Sequence, residues 1–184
     1  MAEAVAATER TGLWMATVAA RRGKAEATRE GLARLLGADP PPGSGVAAAE
    51  DLAVIGVAPE TWLVVAEGGR EPGVAGLADA LRGMASVFRQ DGAYVVLRLD
   101  GEGVGPLLQS GLAIDLHPAA FGPGSAVVSA IAHIGVIVWR NGDHPGFEVA
   151  VPRSLIGSFR DWLSHHAGGV SAQPGHAAAE GRPA

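Results

Sequence analysis

The chain has 184 residues, 48% apolar and 18% charged, with a net charge of −5, which fits one globular domain with its own core and argues against disorder. Cysteine is absent, excluding disulfides, thiolate zinc or iron–sulfur sites and cysteine nucleophiles. With no basic stripe, no apolar run near the 18 or so residues that span a bilayer, and Glu3 and Glu9 where a secretory signal would be apolar, neither a nucleic acid nor a membrane is an expected partner, and a cytoplasmic protein is expected.

The first ten or so residues are alanine-rich and featureless, so 1–11 is expected to be flexible. Trp14 to Ala20 reads as a strand. Lys24 to Leu36 reads as an amphipathic helix with Ala25, Thr28, Leu32, Leu35 and Leu36 inward, stopped by Gly37. The stretch Asp39-Pro40-Pro41-Pro42-Gly43-Ser44-Gly45 is a connection. Leu52 to Val57 and Thr61 to Glu67 form a hairpin about Ala58-Pro59-Glu60, and Val74 to Leu81 a weak helix.

Met84 to Gln90 is the next strand, followed by Asp91-Gly92, a strong hairpin signal. Val95, Leu97 and Leu99 alternate with Tyr94, Val96, Arg98 and Asp100, the pattern of a half-buried strand. Gly103 to Ser110 suits a short helix. Ala126 to Ile134, Val136 to Arg140 and Phe147 to Val151 read as strands, with Asn141-Gly142 as a turn. Ser154 to His165 is a helix burying Leu155, Phe159, Trp162 and Leu163, and 169–184 is expected to be a disordered tail. The order β-α-β-β-α-β, then β-α-β-β-β-α, describes an α+β chain of two split β-α-β halves with mainly antiparallel sheets. The halves fall at about 12–91 and 93–168 within a domain over 12–168.

No constellation in the sequence carries a complete chemistry. Gly101-Glu102-Gly103-Val104-Gly105-Pro106 follows a strand and opens a helix, as a dinucleotide loop does, but proline occupies the third glycine's position. The histidines 117, 133, 144, 165, 166 and 176 lack metal-chelating spacing, and His133 reads as a core imidazole. There is no Gly-x-Ser-x-Gly elbow and no phosphate loop. A Schiff-base enzyme would have to rely on Lys24, the chain's one lysine. Catalytic, cofactor-binding and metal residues are therefore expected to be none. The segment Ile114 to Gly124, stiffened by Pro118 and Pro123, is either a braced connection or a rigid surface for a partner. Asp115 and His117 in this segment, with Arg140 and Arg153 outside it, are the candidate subunit-contact residues, arginine being both a common interface anchor and an ordinary solvated residue.

Taken in order, Leu97-Arg98-Leu99-Asp100-Gly101, Asp115-Leu116-His117-Pro118, Phe121-x-Pro123-Gly124, Trp139-Arg140, Val151-Pro152-Arg153-Ser154 and Trp162-Leu163 resemble the gamma subunit of heterotetrameric sarcosine oxidase. Gly12 to Gly23 and Pro59-x-x-Trp62-Leu63 match it more loosely. The resemblance implies a fold similar to folate-binding aminomethyltransferase domains and a non-catalytic structural subunit in a complex that oxidatively demethylates sarcosine or a related N-methyl amino acid. It implies alpha, beta and delta partner subunits, with FAD, FMN, NAD, tetrahydrofolate and zinc on those partners. The chain departs from the family at Gly111-Leu112-Ala113-Ile114, where a cysteine and proline are frequent, and at Ala93, where arginine is common. A free-standing tetrahydrofolate-binding one-carbon protein and an unrelated interaction module are the alternative readings.

Overall fold

A computed structural model describes residues 5–49, 52–67, 73–141, 146–167 and 171–173. Five strands, β2 (Trp14–Ala20), β3 (Gly45–Ala49), β4 (Leu52–Ala58), β5 (Thr61–Ala66) and β6 (Ala85–Arg89), form an antiparallel sheet in the order β3-β4-β5-β2-β6. Helices α1 (Ala25–Leu36) and α2 (Val74–Ala80) cover one face of it. Six further strands form a second sheet in the order β11-β1-β7-β10-β9-β8: β1 (Ala6–Arg10), β7 (Tyr94–Asp100), β8 (Ala126–Ile131), β9 (Ile134–Trp139), β10 (Phe147–Pro152) and β11 (Ser171–Gln173). Helices α3 (Val104–Gly111) and α4 (Ile156–His166) cover its outer face.

The sheets pack face to face between the helices, and side-chain alternation explains why. On β5, Trp62, Val64 and Ala66 join Leu32, Leu36, Leu77 and Leu81 under the helices, while Leu63 and Val65 turn to the other sheet. Those two join Val96, Ala126, Ile137, Trp139 and Ala150 in a buried apolar seam. Strands covered on both faces need apolar residues at consecutive positions, as β5 has. For the same reason β7 is not the half-buried strand its alternation suggested, because Val96 is buried in the seam. No helix among the described residues is long and apolar enough to cross a membrane.

The two halves share one topology with one substitution. In the first, central β2 lies between β5 and β6; in the second, central β7 lies between β10 and β1. The N-terminus thus supplies the strand that β6 supplies to the first half. Within the segment 1–11, expected to be flexible, residues 6–10 instead form a strand paired with β7 from Ala6↔Asp100 to Arg10↔Val96. Val5 and Ala7 are buried, Glu9 pairs with Arg160, and Arg10 pairs with Glu67 and Glu148. Pairing with a neighbouring strand, supported by these side-chain contacts, outweighs a weak local propensity. Of the expected tail, residues 171–173 run parallel to β1, and the remainder lies outside the described residues.

Three local readings also change. Asp91-Gly92 joins strands of different sheets, and Gly92 lacks the positive φ that a type I′ hairpin requires. Ala126 to Ile134 is interrupted by a turn at Ala132 and His133, with φ of 47° and 67°, so His133 is exposed on a β8–β9 hairpin rather than in the core. Gly45–Ala49, given no strand in the sequence reading, pairs with β4. At Gly56 of β4, an added Cβ would lie 1.9 Å from the Gly43 carbonyl oxygen, so only glycine lets that loop cross the strand. The Asn141-Gly142 turn falls partly outside the described residues.

Candidate functional site

Between the end of β7, the start of α3 and the 112–124 segment lies a cleft of about 530 Å³. Gly101, Glu102, Gly105 and Pro106 line one wall, Asp115, His117 and Pro118 another, and Arg140 and Phe147 also contribute to the lining. The Gly101–Pro106 stretch does open a helix, but from a strand antiparallel to both neighbours, unlike the parallel unit of a dinucleotide fold. The charges here, Glu102 and Asp115 against Arg140, would set two carboxylates near a pyrophosphate. That set is a poor match for a bound pyrophosphate.

The 112–124 wall is held by its own polar groups. Gln109 of α3 donates to the Ile114 carbonyl and accepts from the Leu116 amide at 2.9 Å. Asp115 Oδ1 accepts from the His117 amide at 2.8 Å, and His117 Nδ1 accepts from the Ala119 amide at 3.2 Å. With Nδ1 an acceptor, the neutral ring carries its proton on Nε2. The His117 carbonyl then takes both the Ala120 and Phe121 amides at 2.8 Å. Leu116 and Phe121 are buried beneath, anchoring the segment in the second half's core.

Arg140 closes the far end. Its Nη1 donates to the Phe121 carbonyl at 3.0 Å, and its guanidinium carbon sits 5.1 Å from the centre of the Phe147 ring. Phe147 stacks on Phe121 with centroids 6.1 Å apart. Backbone bonds from Gly124 N–H to the Arg140 carbonyl and from Arg140 N–H to the Ser125 carbonyl lock the two segments together.

Asp115, His117 and Arg140 are thus brought together, and Arg153 is not. Arg153 follows β10 and grips the link between the halves, donating to the carbonyls of Gly92 at 3.1 Å, Asp91 at 3.3 Å and Tyr94 at 3.1 Å. Its own amide donates to Ala93. Gln109 and Phe147 had gone unnoticed as site residues, because nothing local distinguishes them; the topology brings them to the cleft. Glu148, only 2% exposed, was also missed, although one acid inside Phe147–Pro152 is a visible signal. Its Oε1 accepts from Arg98 at 2.9 and 3.0 Å and from Arg10 at 3.1 Å. No group of three or more metal-ligating side chains occurs among the described residues.

Comparison with known proteins agrees with this architecture. The model of the sarcosine oxidase, gamma subunit family matches residues 23–169. The sarcosine oxidase subunit gamma of Arthrobacter sp. is 36% identical over 103 residues, covering 55% of this chain and 50% of that protein. The same subunit from Corynebacterium sp. strain P-1 is 33% identical over 139 residues, covering 73% of this chain and 64% of its own length. The matches therefore span half to just under two thirds of these relatives. Among solved structures, heterotetrameric sarcosine oxidase from Corynebacterium sp. U-96, in complex with pyrrole 2-carboxylate, aligns over 91% of this chain and 88% of its own, with a TM-score of 0.79 and 25% identity. Aminomethyltransferase T of the glycine cleavage system from Bartonella henselae shares the fold, with a TM-score of 0.66 and 17% identity over 93% of this chain and 48% of its own. With its two β-α-β halves, its packed sheets and a family match running from the start of α1 through the end of α4, the chain belongs to the sarcosine oxidase gamma subunit family.

Proposed function

We propose that this chain is a non-catalytic structural subunit of a sarcosine-oxidase-like flavoenzyme complex that oxidatively demethylates sarcosine or a related N-methyl amino acid. In this reading alpha, beta and delta subunits are its partners in the cytoplasm, and FAD, FMN, NAD, tetrahydrofolate and zinc reside on them. The observation that carries the proposal is the 0.79 TM-score over nearly the whole chain to a heterotetrameric sarcosine oxidase. The cleft is compatible with it: Asp115 Oδ1 and His117 Nδ1 are engaged in bracing their own loop. A wall braced in this way loses little entropy when a partner docks, so Asp115, His117 and Arg140 belong to the contact surface. Arg153 supports that surface indirectly, by holding the link between the halves.

Co-expression with the large flavin-bearing subunits tests this. The chain should be recovered with them in fixed ratio, while the isolated chain shows no flavin absorbance and no tetrahydrofolate binding in a titration. His117→Ala should lower recovery of the partners about ten-fold with little change in thermal unfolding, because His117 is exposed. Arg153→Ala should shift unfolding itself, through loss of about 1 to 2 kcal/mol of carbonyl bonding. Stoichiometric folate binding by the free chain would instead establish the one-carbon reading.

A further inference from the structure

The seam between the sheets is lined by apolar side chains, but its end at β9 and β10 also carries buried polar atoms. Trp139 is fully buried and Glu148 is 2% exposed. The two lie directly opposite each other on neighbouring strands, so their side chains share the face turned to the seam. Asn141 lies two positions beyond Trp139, which by alternation returns it to the same face. Arg140, between them, reaches Phe121 and Phe147 on the other. At this diagonal offset the side chains of Asn141 and Glu148 are within reach of a common partner.

Glu148 divides its two oxygens unequally. Oε1 takes Arg98 Nε and Nη2 at 3.0 and 2.9 Å and Arg10 Nη1 at 3.1 Å. Oε2 is buried and takes no donor among the described residues. Trp139 Nε1, the ring's one donor, is buried and meets no acceptor there, and Asn141 Oδ1 is buried and meets no donor. Buried polar groups are nearly always hydrogen-bonded, and leaving one bare is costly, most of all on a charged group. Three such atoms on one face of one strand pair point to a shared partner rather than to three separate losses.

The polarity of the set decides what that partner is. One donor and two acceptors match water, which accepts from Trp139 Nε1 and donates one hydrogen each to Glu148 Oε2 and Asn141 Oδ1. A cation would be set against the indole N–H, and an anion against the carboxylate. Small side chains border the atoms: Ala126 opposite Trp139 on β8, and Ala150 two positions along β10 from Glu148. We infer that one structural water is bound at this corner of the seam, bridging Trp139, Glu148 and Asn141. It completes the shell of Glu148, with two arginines on Oε1 and the water on Oε2. Through Asn141 it also fixes the chain where β9 ends, beside Arg140 of the cleft. Buried waters typically make about three such bonds and are costly to remove.

A high-resolution crystal structure of the full chain, free or in its complex, should show one water peak within about 3.2 Å of all three atoms. A direct bond from Trp139 Nε1 to Glu148 Oε2, or no peak within reach of the three atoms, overturns the site. In solution, the Trp139 indole proton should show cross-relaxation with a water that tumbles with the protein, and Trp139→Phe assigns that signal by its loss. A signal with the sign of fast-exchanging surface water, or none, overturns it as well. The groups should also be coupled. Trp139→Phe and Asn141→Ala should each lower the urea midpoint, and the double variant should fall short of the summed shifts, because either change already disrupts the same water. Additive shifts overturn the bridge. Should a variant fail to fold, the crystal structure and the indole signal of the wild type still decide.

Discussion

The two halves build the same unit from different stretches of chain. In the first, the strand beside central β2 is β6, which comes from α2 through a turn. In the second, the equivalent place beside β7 is taken by β1, about ninety positions earlier in sequence. A sheet position is defined by backbone partners and by a face to bury, so a segment from the far end of the chain fills it as well as an adjacent one. The halves also differ in charge. Strands β2, β4 and β5 carry no charged residue, whereas β1, β7 and β10 bring Arg10, Arg98 and Glu148 together at one end of the seam. Arg10 also pairs with Glu67, just past β5, so the N-terminal strand ties the second half to the first. A buried carboxylate needs such partners, and removing one leaves the rest uncompensated.

The sharpest way to break the comparison is to remove β1. Deleting residues 1–12 uncovers an edge of β7, exposes what Val5 and Ala7 bury, and strips Arg10 from Glu148. Against a typical total stability of 5 to 15 kcal/mol, we expect a loss of about 5 kcal/mol or more, read as the urea midpoint by circular dichroism. Moving the same residues to follow position 167 should recover most of it. The chain after α4 already reaches the start of β1, since Ser171 pairs with Ala6. A deletion with an unchanged midpoint would show that β1 is not the counterpart of β6.

The comparison also shows what the sequence could reveal. Strands such as Leu52–Ala58 and Thr61–Ala66 are legible because burial on both faces leaves uninterrupted apolar runs. β1 was illegible: Ala-Ala-Thr-Glu-Arg has no strand signature, and its partners lie far away in sequence. Asp91-Gly92 has hairpin chemistry, yet turn chemistry cannot say whether the flanking strands share a sheet. Asp115 to Gly124 stood out through its prolines, and the cleft does lie against it. Gln109 and Phe147 reach the cleft only through the fold. Arg153 looked like Arg140 in sequence, and what separates them is the carbonyls each one meets.

A smaller effect sharpens the comparison at the helix layers. Each half has a glycine where a helix meets its surroundings closely. A Cβ on Gly31 of α1 would lie 2.7 Å from Leu81 Cδ2, the tip of a flexible chain. On Gly111 of α3 it would lie 2.6 Å from Trp162 Cζ2 and 2.9 Å from Ile131 Cγ2. Trp162 is held by Phe159, with centroids 5.8 Å apart, and by His166 at 4.8 Å. Gly31→Ala should be nearly neutral, because a helix-propensity gain of up to about 1 kcal/mol offsets a small shift of Leu81. Gly111→Ala should cost about 2 kcal/mol, since a pinned ring cannot yield and the end of a helix gains little. Thermal unfolding of both variants decides it; equal costs would mean that the two helix layers are equally compliant.

The smallest effect lies in the link between the halves, which two arginines hold in different ways. Arg153 grips backbone carbonyls, which do not titrate in the acid range. Arg89 grips the Asp91 carboxylate and, with a smaller backbone contribution, holds that carboxyl below the ordinary range despite a modest opposing effect of burial. A carboxyl whose folded value is depressed adds stability above its unfolded value, near pH 4, and that stability is lost as pH falls through the folded value. Arg89 is 69% exposed, so the pair contributes only about 0.5 kcal/mol. Urea unfolding of the wild type and Arg89→Gln at a series of pH values reads this directly. The variant should be less stable by that small margin from pH 5 to 7, and the two curves should converge as pH falls below about 4. Raising the salt concentration should narrow the gap at neutral pH. Parallel curves down to pH 2 would mean that the Asp91–Arg89 pair adds nothing, leaving Arg153 and the backbone to hold the halves' connection.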